Sequence, residues 1–132
     1  MRLVLDASVA LEVCLATQGF GVLSPHDLVA PPLLPSEVLA SLRSLHWRGE
    51  ISTALTQAAL DRVPTMPVDL ERPAGHLQAA WELAEQLGWA KTHDAEYVAL
   101  ARLLDLPLLT VDSRLARGIR GVVQVIGPGD LG

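Results

Sequence analysis

Apolar residues along this chain come in short continuous runs and in helical stripes, and the two kinds alternate. Arg2-Leu3-Val4-Leu5-Asp6 opens with a run too continuous for a half-solvated strand, and reads as a strand buried on both faces. Ala7 to Ala16 continues as a short, mostly apolar helix. Residues 17–27, TQGFGVLSPHD, carry Gly19, Gly21, Ser24 and Pro25 and read as a loop. Leu28-Val29-Ala30 predicts a second strand, stopped by Pro31 and Pro32. Ser36 predicts a helix cap ahead of residues 37–43. Val38, Leu42 and Leu45 form the apolar stripe of that helix, opposite Glu37, Ser41, Ser44 and Arg48. Gly49 ends it, and residues 52–63 predict another helix.

The second half repeats the alternation. Residues 66–70 predict a short strand, at a sheet edge because Pro67 has no amide proton to give a neighbour. Leu77, Ala80, Trp81 and Ala84 recur at i, i+3, i+4, i+7 and predict an amphipathic helix ending near Gly88, with Trp81 in the core or a dimer interface. Tyr97, Leu100, Ala101 and Leu104 place a helix over about residues 94–105. A strand over 106–111, a short helix over 113–120, a last strand over 122–126 and an unpacked tail, GPGDLG, complete the chain. Strands alternating with helices predict an α/β fold: an α/β/α sandwich with a central parallel sheet of four to five strands, one domain over residues 1–132. Right-handed crossovers bring the carboxyl ends of all strands to one edge, where such folds bind ligands.

Four acids belong at that edge. Asp6 and Asp112 close predicted strands, while Glu37 and Asp94 stand in the first turns of predicted helices. The placement of Asp94 is the least secured by pattern, because its helix follows another helix rather than a strand. Each acid has a plain structural alternative: Asp112 before Ser113 is a helix cap, and Glu37 and Asp94 complement helix dipoles. Asp6 has no such ready explanation. Four converging carboxylates repel one another unless a cation intervenes, and oxygen-only donors select hard ions such as Mg2+ or Mn2+. Such a site suits phosphodiester hydrolysis.

Taken in order, LVLDASVALE, PPLLPSEVLASL, HDAEYVALA and LPLLTVDSRLA resemble the four motifs of the PIN-domain family of metal-dependent ribonucleases, and within it the VapC-type toxins of bacterial toxin–antitoxin pairs. The resemblance spans residues 1 to about 126. It implies a PIN-like nuclease domain that cuts RNA with Mg2+ (or Mn2+), leaving a 5′-phosphate and a 3′-hydroxyl. It further implies a homodimer and a cognate VapB-like antitoxin. Asp6, Asp94 and Asp112 would hold metal, and Glu37 would complete the site or orient the attacking water. The chain departs from the family pattern at His93, where many members have tyrosine, and in the short 17–27 segment.

Further candidates for substrate contact are Thr110, Arg114, Ser8 and His93. Thr110 has two local alternatives, holding a carboxylate through its hydroxyl or satisfying itself within its strand. Arg114, Arg117 and Arg120 recur every three residues on one helix face, with Arg114 nearest the acids; Arg43 and Lys91 are weaker candidates. Trp47, Trp81 and Trp89 are able in principle to stack on bases. Two rival readings are a non-catalytic RNA- or protein-binding domain of the same fold and a phosphoacceptor signalling domain. The latter wants an aspartate ending the third central strand and a lysine after a later one, and Lys91 is not so placed.

Composition narrows the field. An apolar share of 50% over 132 residues excludes a disordered chain. No apolar run approaches the ~18 residues of a membrane span, and MRLVLDAS reaches an aspartate too soon for a secretory signal. The lone Cys14 reads as a buried small hydrophobe and points to a reducing cytoplasm. Ten basic residues against fifteen acidic give −5, which on its face disfavours nucleic acid. Setting aside the four edge acids leaves 15 − 4 = 11 against 10, a net −1. The acidity then belongs to the edge site, and nine of the ten cations are arginine.

Overall fold

A computed structural model describes residues 1–131; Gly132, the end of the expected tail, lies outside them. Five parallel strands, β1 (Arg2–Leu5), β2 (Asp27–Ala30), β3 (Val68–Leu70), β4 (Leu108–Leu109) and β5 (Val125–Ile126), form one sheet in the order β3-β2-β1-β4-β5. Leu3 pairs with Leu28, Val4 with both Val29 and Leu108, and Leu28 with Val68. The continuous apolar run of β1 is explained by its central place: Leu3, Val4 and Leu5 are fully buried. β3 takes the edge, as Pro67 requires.

Six helices complete the described fold: α1 (Ala7–Leu15), α2 (Leu34–Trp47), α3 (Thr53–Arg62), α4 (His76–Leu87), α5 (His93–Leu104) and α6 (Ser113–Gly118). Val9, Val38, Leu42, Val98 and Leu100 pack onto the strands, each side chain contributing about 1.5–3 kcal/mol by leaving water. From β1 the chain moves to β2 on one side and later to β4 on the other. The topological switch point therefore lies between β1 and β4, beside Asp6 and Thr110.

The start of α5 settles where Asp94 stands. His76, at the start of α4, touches Glu96, at the start of α5, and Ala79 and Leu83 border the same crevice as Ala99 and Leu103. Residues 88–92 join the two helices, and 88–91 line the same cleft as Asp94, Glu37 and Asp112, so α5 begins at the carboxyl edge. Gly88, in the left-handed region at φ 71°, ends α4 and starts that link.

Several boundaries differ from expectation. α2 starts at Leu34 with Pro35 in its first turn, so Ser36 is inside the helix and caps nothing. The 17–27 segment contains a 3-10 turn over Gly19–Leu23 rather than loop alone. β4 and β5 are two residues each, and α6 ends at Gly118. The tail is not unpacked, since Pro128–Leu131 form a 3-10 turn and Leu131 lies against the core. The α4 stripe is only partly internal: Ala80, Leu83 and Ala84 are buried, whereas Trp81 is 63% exposed and not core. No helix among the described residues is long and apolar enough to cross a membrane.

Candidate active site

Asp6 follows β1 and is 4% exposed, yet it accepts nothing from the start of α1 and so does not serve as a side-chain cap. Its Oδ2 is held by two hydroxyls instead: Ser8 Oγ donates at 2.6 Å and Thr110 Oγ1 at 2.8 Å. Each hydroxyl is in turn oriented by a backbone amide. Val111 N–H donates to Ser8 (3.2 Å) and Asp112 N–H donates to Thr110 (3.0 Å). Both hydroxyl protons are thus committed to one oxygen of Asp6, and among the described residues none donates to Oδ1. Ser8 and Thr110 support the carboxylate, and neither hydroxyl proton points elsewhere.

Asp112 is a helix cap with one oxygen and leaves the other free. Oδ1 caps α6, accepting from Arg114 N–H (3.0 Å) and Leu115 N–H (3.1 Å), while Oδ2 is unpartnered. Glu37, in the first turn of α2, buries Oε1 without a hydrogen-bond partner. Asp94, exposed at the rim in the first turn of α5, is level with the other three because α5 begins at this edge.

Glu37, Asp94 and Asp112 line one cleft of about 530 Å³, together with Trp89, Lys91, His93 and Arg114. The acids interact through it. Burial pushes the Glu37 carboxyl above its ordinary value, and Asp94 and Asp6 push the same way against the lesser pull of Tyr97 and His93. Asp94 is raised too, first by the protein covering part of it, then by Asp6 and Asp112, with Arg114 and His93 opposing. His93 and Arg114 line the cleft together with the acids. Arg117 and Arg120 do not; they border a separate groove with Val123 and Val125. Arg43 is remote, its guanidinium 5.8 Å from the ring centre of Trp47 on α2.

A divalent ion fits this chemistry. The donors are all oxygens, like-charged and mutually destabilised, with an unpartnered oxygen on Asp6, Glu37 and Asp112. Among the described residues, no three His, Cys, Asp or Glu side chains stand in position to hold one ion together. The donor set thus suits an ion that keeps much of its own water, as Mg2+ does.

Comparison with known proteins agrees with this geometry. The model of the PIN domain matches residues 3–119. The chain belongs to the PIN domain family. Ribonuclease VapC1 of Mycobacterium tuberculosis is 37% identical over 121 residues, covering 86% of this chain and 87% of that protein. Ribonuclease VapC9 of the same organism is 33% identical over 115 residues, covering 86% and 88%. Among solved structures, PAE2754 from Pyrobaculum aerophilum superposes with a TM-score of 0.73 at 24% identity, over 99% of this chain and 95% of that one. VapBC-1 from nontypeable Haemophilus influenzae gives 0.59 at 16%, over 98% and 99%.

Two supports of this PIN domain are missing from the sequence reading. Tyr97 looks like one more apolar position of α5, and it is indeed buried. It also stands three residues after Asp94, on the same helix face, and its hydroxyl sits beside Glu37. Burial, then Glu37, keeps that phenol protonated by raising its pKa. His76 is 1% exposed. Arg72 can only donate, at 3.2 Å to Nδ1, so the ring proton is on Nε2, which donates to the Glu96 carbonyl at 2.7 Å. Arg72 also pairs with the Glu96 carboxylate at 3.1 Å, tying the approach to α4 onto the first turn of the helix that carries Asp94. The i, i+4 spacing of Arg72 and His76 was the available signal.

Proposed function

We propose that this PIN domain, acting as a single nuclease domain, is a Mg2+- or Mn2+-dependent endoribonuclease and the toxin of a VapBC-type pair. The observation that carries this reading is the cleft lined by Glu37, Asp94 and Asp112, with Asp6 close enough to raise Glu37 and Asp94, and with an oxygen free on Asp6, Glu37 and Asp112. The names of the curated relatives support the ribonuclease activity. The structural likeness to a VapBC complex supports a VapB-like antitoxin as partner.

Asp6, Asp94 and Asp112 would hold the ion, in part through water that it keeps. When bound, the ion would acidify water and offset the charge that builds on the phosphate. Glu37, half-buried and with its carboxyl pKa raised, is suited to accept the proton of the attacking water or to orient it. Ser8 and Thr110 keep Asp6 aimed at the cleft, and Arg114, with His93, meets the phosphate. Exposed Leu77 and Trp81 on α4, and Leu39, Trp47 and Leu60 on α2 and α3, leave apolar surface for a second copy and an antitoxin. A cytoplasmic location accords with the unpaired, buried Cys14. The phosphoacceptor alternative loses support, because β3 is an edge strand and ends in Leu70.

Asp6→Asn tests the reading. Incubated with single-stranded RNA and Mg2+, the wild type should yield fragments bearing 5′-phosphates, and the variant none, at an unchanged circular dichroism spectrum. Cleavage by Asp6→Asn at the wild-type rate would remove the acids from the mechanism.

A further inference from the structure

The acids account for one end of their cleft; nothing so far uses the other. The cleft follows α6 from Asp112, which caps that helix, to Gly118, its last residue. Six helical residues make this about 9 Å. At the far end stands Trp89, half-buried on the 88–92 link, with its ring beside Gly118, where even a Cβ would lie only 3.8 Å from Cζ2. Lys91, the sole lysine, and Arg114 line the same cleft as Trp89 and the carboxylates. One cleft thus presents an indole, two cations and a group of acids.

We propose that Trp89 is the stacking platform for an unpaired base flanking the scissile phosphate, with Lys91 and Arg114 holding the intervening backbone. The inference rests on the ribonuclease reading and assigns to Trp89 the contact with an unpaired base beside the cut. A duplex keeps its bases stacked on each other and has no free face to offer an indole in a cleft. Trp47 and Trp81 are more exposed but stand on α2 and α4, outside the cleft, and do not share this role. Trp89 is a substrate-binding residue whose contact is the same before and during bond cleavage, so its loss acts on binding rather than on the chemical step.

Two measurements test this. With single-stranded RNA of mixed sequence, Trp89→Ala should raise KM by about ten- to a hundredfold, as loss of one base–aromatic stack implies, with kcat little changed. Trp89→Phe should recover most of that loss. Second, in an Asp6→Asn, Trp47→Phe, Trp81→Phe protein, where Trp89 is the only indole and RNA is not cut, the same RNA should quench the emission. A duplex of equal length should not. An unchanged KM in Trp89→Ala overturns the inference, as does RNA binding, seen by anisotropy of labelled RNA, without quenching. If Trp89→Ala misfolds, the quenching experiment decides alone. Failure of the wild type to cut RNA at all strikes the ribonuclease reading instead, whereas wild-type cleavage matched by Trp89→Ala strikes only this inference.

Discussion

Thr110 joins the two strands at the switch point, and replacing it with valine isolates what its hydroxyl does. The side chain is 4% exposed, so valine fills nearly the same space and little packing is lost. Two hydrogen bonds disappear: the 2.8 Å donation to Asp6 and the 3.0 Å acceptance from Asp112 N–H. A bond to a charged group contributes about 1.5–3 kcal/mol, and an amide left without a partner costs about 1–3 kcal/mol. Allowing for water reaching the half-buried Asp112, the net loss should be about 3 kcal/mol. For 132 residues the unfolding entropy is roughly 0.28 kcal/mol/K, so the thermal midpoint should fall by about 10 °C. Calorimetry reads this directly, and titration with Mn2+ should show weaker binding, since Asp6 is free to turn away from the cleft. Ser8 supplies the second hydroxyl, so the Ser8→Ala, Thr110→Val pair should lose more than the sum of the single changes. A loss under about 1 kcal/mol for Thr110→Val, with unaltered Mn2+ affinity, refutes the idea that these hydroxyls aim Asp6.

Two other outcomes follow from named contacts. Arg62 donates to the carbonyls of Cys14 (2.9 Å), Ala16 and Thr17 (3.2 Å), closing the end of α1; Arg62→Ala should cost about 3 kcal/mol in urea unfolding and leave metal affinity unchanged. Glu37 and Asp94 hold protons in the folded chain above the 4.5 and 3.8 of free side chains, so in that window the native state binds more protons than the unfolded one. Without metal, their contribution to stability therefore falls as pH rises through it. Thermal midpoints measured against pH should fall less steeply in Glu37→Gln than in the wild type, and Mn2+ should stabilise the wild type more at neutral than at acid pH. Identical slopes in the two proteins count against burial of Glu37 as the cause.

Much of the architecture was legible because strand and helix periods differ and β1 is central. A strand buried on both faces cannot alternate, so RLVL announced its place. Ends were less legible. Ser36 reads as a cap, but α2 starts upstream of it with Pro35 in the first turn, where proline forgoes no bond. The α4 stripe misled because an i, i+4 pattern reports an apolar face without saying what covers it, and Leu77 and Trp81 face solvent in this chain. At the site, the four acids could be named because each ends a strand or opens a helix. Tyr97 and His76 could not, since a buried phenol or imidazole serving a carboxylate or a carbonyl has the same periodicity as core. Asp112 was posed as cap or ligand, and two carboxylate oxygens allow both.

The short link between α4 and α5 has a consequence for how this chain tolerates change. Surface connections normally absorb insertions and deletions, because their length is arbitrary. The 88–92 segment has little such freedom. Gly88 is spent closing α4, with Trp89 N–H turned back to the Ala84 carbonyl, and Thr92 already accepts from Glu96 N–H in α5. Little more than Ala90 and Lys91 is left to make the crossing. It works as a ruler: removing one residue would drag the start of α5, and Asp94 with it, out of the cleft. Length at this segment is therefore as constrained as identity is in the core.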